Sequence, residues 1–302
     1  MDITTFKACI LGIAVGDALG VPVEFESRTE LDKNPVCDMR GFGSHGVPAG
    51  AWSDDTSMVL CELDALAKEH FSWDDVMKNF ADWRYNDAFT PTGRCFDIGM
   101  TCEEAIRAYA HEGKAATECG LSGEHDNGNG SLMRIAPFAL FSPDDPGFSE
   151  KASTLTHATR RSQIACGVYS LVLGEIIRGK SKASARLGIA KAREHYRAEA
   201  EWQHFEPLTD IENRSRDSIK SGGYVVTTLE AALWCLLTTD TYRDCVLKAV
   251  NLGRDTDTVA AIAGGLAGAL YGLDGIPQPW LDTLIKREYI EQLCEKAYTR
   301  LG

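Results

Sequence analysis

Apolar side chains in this chain recur three and four residues apart while strand-like alternation is nearly absent, which restricts the fold to packed helices. The spacing runs through Phe6/Ile10/Ile13, Val59/Leu63/Leu66, Trp73/Val76/Phe80/Trp83, Ile164/Val168/Leu171, Val259/Ile262/Leu266/Leu270 and Ile290/Leu293/Ala297, and each set lays an apolar stripe along one helical face. Helix-end signals agree. Thr101 with Glu104 and Thr241 with Asp244 have capping-box separation, and Gly113 and Gly179 stand where helices would stop. The expected class is all-α. No Pro/Gly/Ser-rich linker, fixed-period repeat or low-complexity tract divides the 302 residues, so one domain over 1–302 is expected. The hydrophilic stretch from His195 to Ser221 reads as a surface loop, either a solvated excursion or a contact for a macromolecular partner.

Two segments test a membrane reading. Ala8 to Val15 resembles the apolar part of a signal peptide, but Asp2 precedes it, Lys7 is its one basic flank and Asp17 interrupts the chain just beyond it. Val259 to Leu273 is rich in Gly and Ala and falls short of the roughly 20 residues that span a bilayer, so it reads as a buried helix. Gly264, Gly265 and Gly268 each cost about 1 kcal/mol there relative to Ala, which implies a closely approaching neighbour backbone. The formal net charge of -13 opposes non-specific attraction to nucleic acid or an anionic membrane. Ten cysteines without a C-x-x-C pair or zinc-like spacing suit a reducing cytoplasm.

Ser53-Asp54-Asp55-Thr56 and Asp255-Thr256-Asp257-Thr258 each stand directly ahead of a helical apolar pattern. Neighbouring side chains converge where a chain turns into a helix, whereas inside a regular helix they diverge. Either motif taken singly is accounted for by capping and the helix dipole. Clustered together, Asp54, Asp55, Asp255 and Asp257 would repel one another and require cations. The donors are hard oxygens with no His or Cys among them, which favours Mg²⁺ or Mn²⁺, and four carboxylates with hydroxyls exceed one octahedral shell and suit two ions.

Other segments carry candidate chemistry. Glu24, after the Gly/Pro-punctuated exit from the first helix, is a further carboxylate or a proton-transfer group, or else a loop acid. Asp97 precedes the helix near Thr101. Asp126 to Ser131 is a turn whose glycines, Gly128 and Gly130, allow backbone amides to face an anion, with Asn127, Asn129 and Ser131 adding side chains. His157 and Tyr224 are candidates to line a nucleotide pocket. One rival motif, Gly174-Glu175-Ile176-Ile177-Arg178-Gly179-Lys180-Ser181, fits the P-loop pattern around Lys180. A helical pattern runs into it, Glu175 would repel phosphate and two Ile residues disfavour an amide nest, so it reads as a helix end capped by Gly179.

Six blocks in order make the chain resemble the ADP-ribosylglycohydrolase family over nearly its whole length: Gly16-Asp17-Ala18-Leu19-Gly20 with Glu24, Trp52 to Thr56, Phe96 to Gly99, Gly128 to Arg134, Gly223 to Val226 and Gly253 to Thr258. The resemblance implies an orthogonal helical bundle with a binuclear centre between helix N-termini, in which Ser53, Asp54 and Asp55 face Asp255, Asp257 and Thr258, with Asp257 bridging two divalent cations. It implies that the distal ribose hydroxyls bind the metals, that the turn from Gly128 to Ser131 holds phosphate and that Tyr224 shapes the nucleotide pocket. The expected reaction is attack of a metal-associated water at the anomeric carbon of the distal ribose, releasing ADP-ribose from a mono-ADP-ribosylated protein, with arginine the favoured linkage. Either Asp97 or Glu24 carries the proton. Thr156-His157-Ala158-Thr159-Arg160 departs from the Asp- or Pro-containing run that this resemblance leads one to expect after the His. The rival functions are a catalytically silent ADP-ribose-binding or structural member of the fold and a P-loop hydrolase using Lys180. A cytoplasmic monomer is expected, with no membrane or nucleic-acid partner.

Overall fold

A computed structural model describes residues 1–301. Its regular structure is α1 (Ile3–Gly20), α2 (Arg28–Lys33), α3 (Asp54–Leu66), α4 (Trp73–Asn86), α5 (Met100–Glu112), α6 (Ala136–Phe141), α7 (Pro146–Ser153), α8 (Arg160–Gly179), α9 (Lys182–Tyr196), α10 (Val225–Leu237), α11 (Tyr242–Val250), α12 (Thr256–Tyr271), α13 (Gln278–Thr283) and α14 (Arg287–Tyr298), joined by loops and 3₁₀ turns. Among the described residues β pairing is confined to three isolated bridges. The class is all-α, and the apolar stripes converge on one contiguous core running from Phe6 to Ala297.

The centre of that core is the pair α1 and α12, which lie against each other along their length. Glycines make the approach possible. A Cβ on Gly264 would stand 2.2 Å from the Gly12 carbonyl oxygen, and one on Gly12 would stand 2.3 Å from that of Gly264. Further along, a Cβ on Gly20 would meet the Asp257 backbone at 2.3 Å, so the same contact sets the first turn of α12 beside the end of α1. The segment Ile3–Val23 is long and apolar enough to cross a bilayer, yet 94% of its most apolar window is buried inside the molecule. Its neighbours include α3, α11, α12 and α14.

Three local expectations need correction. Thr101 does not cap α5: Gly99 is the N-cap, without a side-chain bond. The chain enters the helix early because Asp97, at φ 64, turns it first, and Glu103 N–H already reaches the Gly99 carbonyl at 2.9 Å. Gly179 does not cap α8 but remains its last helical residue, and the cap is Lys180 at φ 45. Tertiary bonds hold this lysine, whose Nζ donates to Thr5 Oγ1 and to the Ala269 carbonyl, both at 2.8 Å. Those partners lie at the ends of α1 and α12 remote from the acidic motifs, so the P-loop pattern is a helix terminus.

The third correction concerns His195 to Ser221, which is not a loose loop. It contains 3₁₀ segments at Ala200–His204, Glu206–Asn213 and Arg216–Ser218. Trp202, Phe205, Leu208 and Ile211 are buried at intervals of three residues, which is the repeat that a 3₁₀ helix brings to one face. Tyr196, Trp202 and Phe205 stack in sequence, with ring centroids 6.2 and 5.7 Å apart. By contrast Thr241 caps α11 as its spacing predicts, and Gly113 ends α5 at φ 71.

Candidate active site

The N-termini of α3 and α12 meet above the end of α1. Ser53 caps α3, its Oγ accepting from Asp55 N–H at 3.3 Å and donating to Asp55 Oδ2 at 3.1 Å. Thr258 Oγ1, from the first turn of α12, donates to the same Asp55 oxygen at 3.3 Å. Two acidic motifs about 200 residues apart in sequence are therefore one cluster. Asp255 has no capping bond to its own helix; its Oδ2 accepts from Asn129 Nδ2 at 2.7 Å instead. Capping explains Ser53 and leaves the remaining acids unexplained.

Beneath the cluster lies Asp17, fully buried on α1. It accepts from Ser53 N–H at 2.9 Å, from Thr56 N–H at 3.0 Å and from Thr56 Oγ1 at 2.6 Å, and so anchors the start of α3. No role was assigned to Asp17 from sequence, although an acid inside an otherwise apolar helix is the kind of buried charge that demands a partner. Asp17, Asp55 and Asp257 each present an oxygen within 4.8 Å of the other two, as do Glu24, Asp255 and Asp257.

The cluster is electrically incomplete. Burial, and then the charges of neighbouring acids, push the carboxyls of Asp54, Asp55 and Asp257 well above the usual range. Asp55 Oδ1 and Asp257 Oδ2 are buried with no hydrogen-bond partner, a costly state for a carboxylate unless a cation neutralises it. The donor set is oxygen throughout and sits at two positive helix ends. These residues fit hard divalent cations.

Over the cluster opens a cleft of about 420 Å³, lined on its floor by Asp54, Asp255 and Thr258 and on one wall by Gly128, Asn129, Gly130 and His157. Glu24 and Asp97 line it too. Glu24 is buried, so it is not a solvated loop acid. His45, which carried no sequence signal, stands between the two acids: its Nε2 lies 2.5 Å from Glu24 Oε2 and 3.6 Å from Asp97 Oδ2. Burial first pushes Glu24 up to about 8, with the charges of Asp255 and Asp17 adding to it. Burial and then the Glu24 charge push Asp97 up to about 7.

The Gly128 turn is held against the start of α10 by Asn129 N–H donating to the Gly223 carbonyl and Val225 N–H to the Asn127 carbonyl, both at 3.0 Å. His157 is buried against Gly130, and its Nδ1 lies 2.9 Å from Thr156 Oγ1. That hydroxyl also accepts from Arg134 Nη2 at 2.9 Å, and Arg134 pairs with Glu62 of α3 inside the core. The Ser131 hydroxyl turns into the core toward Ser153 and Cys166. Asn127 faces an adjoining cleft with Arg160 and Arg161, and its Oδ1 is buried without a partner. Tyr224 is half-buried under the Arg161 guanidinium, which donates to its hydroxyl at 3.1 Å. Thus Asp54, Asp255 and Thr258 line one cleft with Glu24, Asp97, Asn129 and His157, while Ser53, Asp55 and Asp257 are buried within the same acidic cluster. Ser131, Asn127 and Tyr224 stand behind or beside that cleft.

With this geometry the chain can be compared with known proteins. The ADP-ribosylglycohydrolase family model matches residues 3–302. The chain belongs to the ADP-ribosylglycohydrolase family. It is accordingly a hydrolytic enzyme, an ADP-ribosyl glycohydrolase. It is 34% identical to the ADP-ribosylarginine hydrolase Tri1 of Serratia proteamaculans, over 97% of this chain and 78% of that one. It is also 34% identical to the ADP-ribosyl-[dinitrogen reductase] glycohydrolase of Rhodospirillum rubrum, over 94% of this chain and 92% of that one. A solved structure described as an ADP-ribosylglycohydrolase-related protein complex superimposes with a TM-score of 0.84 at 31% identity, covering 99% of both chains.

Proposed function

We propose that this family member is a metal-dependent hydrolase that removes ADP-ribose from mono-ADP-ribosylated protein at arginine. The observation that carries the metal dependence is the pair of buried, partnerless carboxylate oxygens on Asp55 and Asp257 at two facing helix N-termini. Ser53, Asp54, Asp55, Asp255, Asp257 and Thr258 would hold two ions, and an all-oxygen set favours Mg²⁺ or Mn²⁺. When bound, the ions supply Lewis acidity toward the ribose hydroxyl oxygens. The arginine linkage is supported by the name of the Serratia relative, an ADP-ribosylarginine hydrolase.

The remaining roles belong to the protein's own side chains. Water attack at the anomeric carbon of the distal ribose needs a group to take the water's proton, and departure of the guanidine needs one to give a proton back. Glu24 and Asp97 are raised toward neutrality and joined through His45, which supports either as the carrier of that proton; cations on the cleft floor would lower both. The turn from Gly128 to Ser131, with Asn127 and His157, is proposed to receive the pyrophosphate, and Tyr224 to border the nucleotide. We further take residues 1–302 to act as one domain and as a cytoplasmic monomer. The contiguous core and ten free cysteines support this, while the net charge of -13 disfavours nucleic acid and membrane surfaces.

The test is release of free ADP-ribose from ADP-ribosyl-arginine protein, abolished by excess chelator and restored by Mg²⁺ or Mn²⁺. Full turnover in chelator would remove the metal from the mechanism. Glu24→Gln and Asp97→Asn, assayed separately, identify the proton carrier as the one whose loss lowers kcat by about 100-fold or more.

A further inference from the structure

Phe25 occupies a backbone conformation that bulky side chains avoid, at φ 70. Reciprocal bonds hold it there: Phe25 N–H donates to the Arg254 carbonyl and Arg254 N–H to the Glu26 carbonyl, both at 2.7 Å. Arg254 is itself at φ 71 and immediately precedes Asp255. The loop after Glu24 is thus tied to the mouth of α12. Nothing in the core rewards this strain, because the Phe25 residue is 65% exposed, at the lip of the cleft that the still more solvated Met100 also lines. Strain kept for an exposed ring points to a use outside folding.

The ring does not stand alone. His45 lies 5.9 Å from Phe25 and 5.3 Å from Phe96, centroid to centroid, which makes a row of three rings with Phe25 at the cleft. At the Nε2 edge of the middle ring are the carboxylates of Glu24 and Asp97, which line the same cleft as Phe25. A planar, delocalised cation is recognised in two directions at once, its face by an aromatic ring and its N–H edges by carboxylates. A hydroxyl-linked acceptor offers neither feature.

We propose that Phe25 is the acceptor-side specificity residue, its ring packing against the guanidinium of the ADP-ribosylated arginine while the carboxylates of Glu24 and Asp97 face that group's N–H edges. The proposal rests on the arginine-directed reading above. In this assignment the ring contacts the acceptor group and not ADP-ribose, so it discriminates between substrate and product.

The experiment compares Phe25→Leu, Phe25→Trp and Phe25→Gly in the metal-loaded protein. Phe25→Leu is expected to lower kcat/KM for ADP-ribosyl-arginine about tenfold, the size of a partly desolvated cation–π contact, while leaving the Kd for ADP-ribose within about twofold and Phe25→Trp close to wild type. Phe25→Gly, free of the steric penalty at positive φ, is expected to raise Tm while losing as much kcat/KM as Phe25→Leu. An equal loss of ADP-ribose affinity in Phe25→Leu, or a lowered Tm in Phe25→Gly, would show that the ring only supports the loop and would overturn the proposal. Unchanged kcat/KM in Phe25→Leu overturns it as well. Wild-type protein that leaves the arginine-linked substrate intact refutes the arginine reading itself, an outcome distinct from a wild-type enzyme indifferent to Phe25.

Discussion

Asp55 and Asp257 each keep one carboxylate oxygen buried and bare, so in the absence of cations they repel one another and oppose folding. Asp55→Asn is therefore expected to stabilise the metal-free protein by about 1 kcal/mol, to remove the rise in Tm on adding Mg²⁺ or Mn²⁺, and to lower kcat by more than about 100-fold. Thermal melts in chelator and in metal check the sign, and a less stable metal-free variant would show the acids to be structural. His157 obeys a different logic. Burial and then the Arg134 charge push its imidazole down to about 3, below the unfolded value near 6.5. The folded state therefore takes up fewer protons than the unfolded one between those limits. Its contribution to stability is present above pH 6.5 and is lost as pH falls toward 3, at up to about 1.4 kcal/mol per pH unit. Denaturant midpoints measured from pH 7 to pH 4.5 should fall less steeply in His157→Gln, by about one proton's worth of slope.

At the scale of elements, the contact of α1 with α12 decides where the acidic cluster sits. A methyl group on Gly264 would enter the Gly12 carbonyl at 2.2 Å, and backbone on both sides leaves no flexible side chain to yield. Gly264→Ala is expected to destabilise the protein by about 1–3 kcal/mol, the usual cost of overpacking, despite the better helix propensity of alanine. A urea midpoint unchanged or raised in that variant would contradict the close approach. The glycine-rich run was legible as a sign of a near neighbour, but α1 as that neighbour was not, since nothing local pairs residues some 250 positions apart. The segment from His195 to Ser221 shows the converse error. Its polar composition suggested a loop, while its apolar residues at every third position carried a 3₁₀ signal that a search at period 3.6 passes over.

Across the whole molecule, cations that bind the folded state but not the unfolded one add stability by mass action, about 2.7 kcal/mol at a hundredfold excess over Kd. Excess chelator is thus expected to lower Tm, with Mg²⁺ or Mn²⁺ restoring it and monovalent salt at equal ionic strength failing to do so. Identical melts in chelator and in divalent metal would count against the centre. The all-helical class, most helix positions and the two acidic motifs were readable from residue order alone, because helix periodicity and N-terminal chemistry are properties of neighbours in sequence. Tertiary structure decided the rest: that Asp55 and Thr258 share a hydrogen bond, that Asp17 braces the mouth of α3, and that Ser131 turns to the core while His45 meets Glu24 and Phe25 lines the cleft. Those relations depend on which helices pack together, and packing joins residues whose sequence separation carries no local energetic trace.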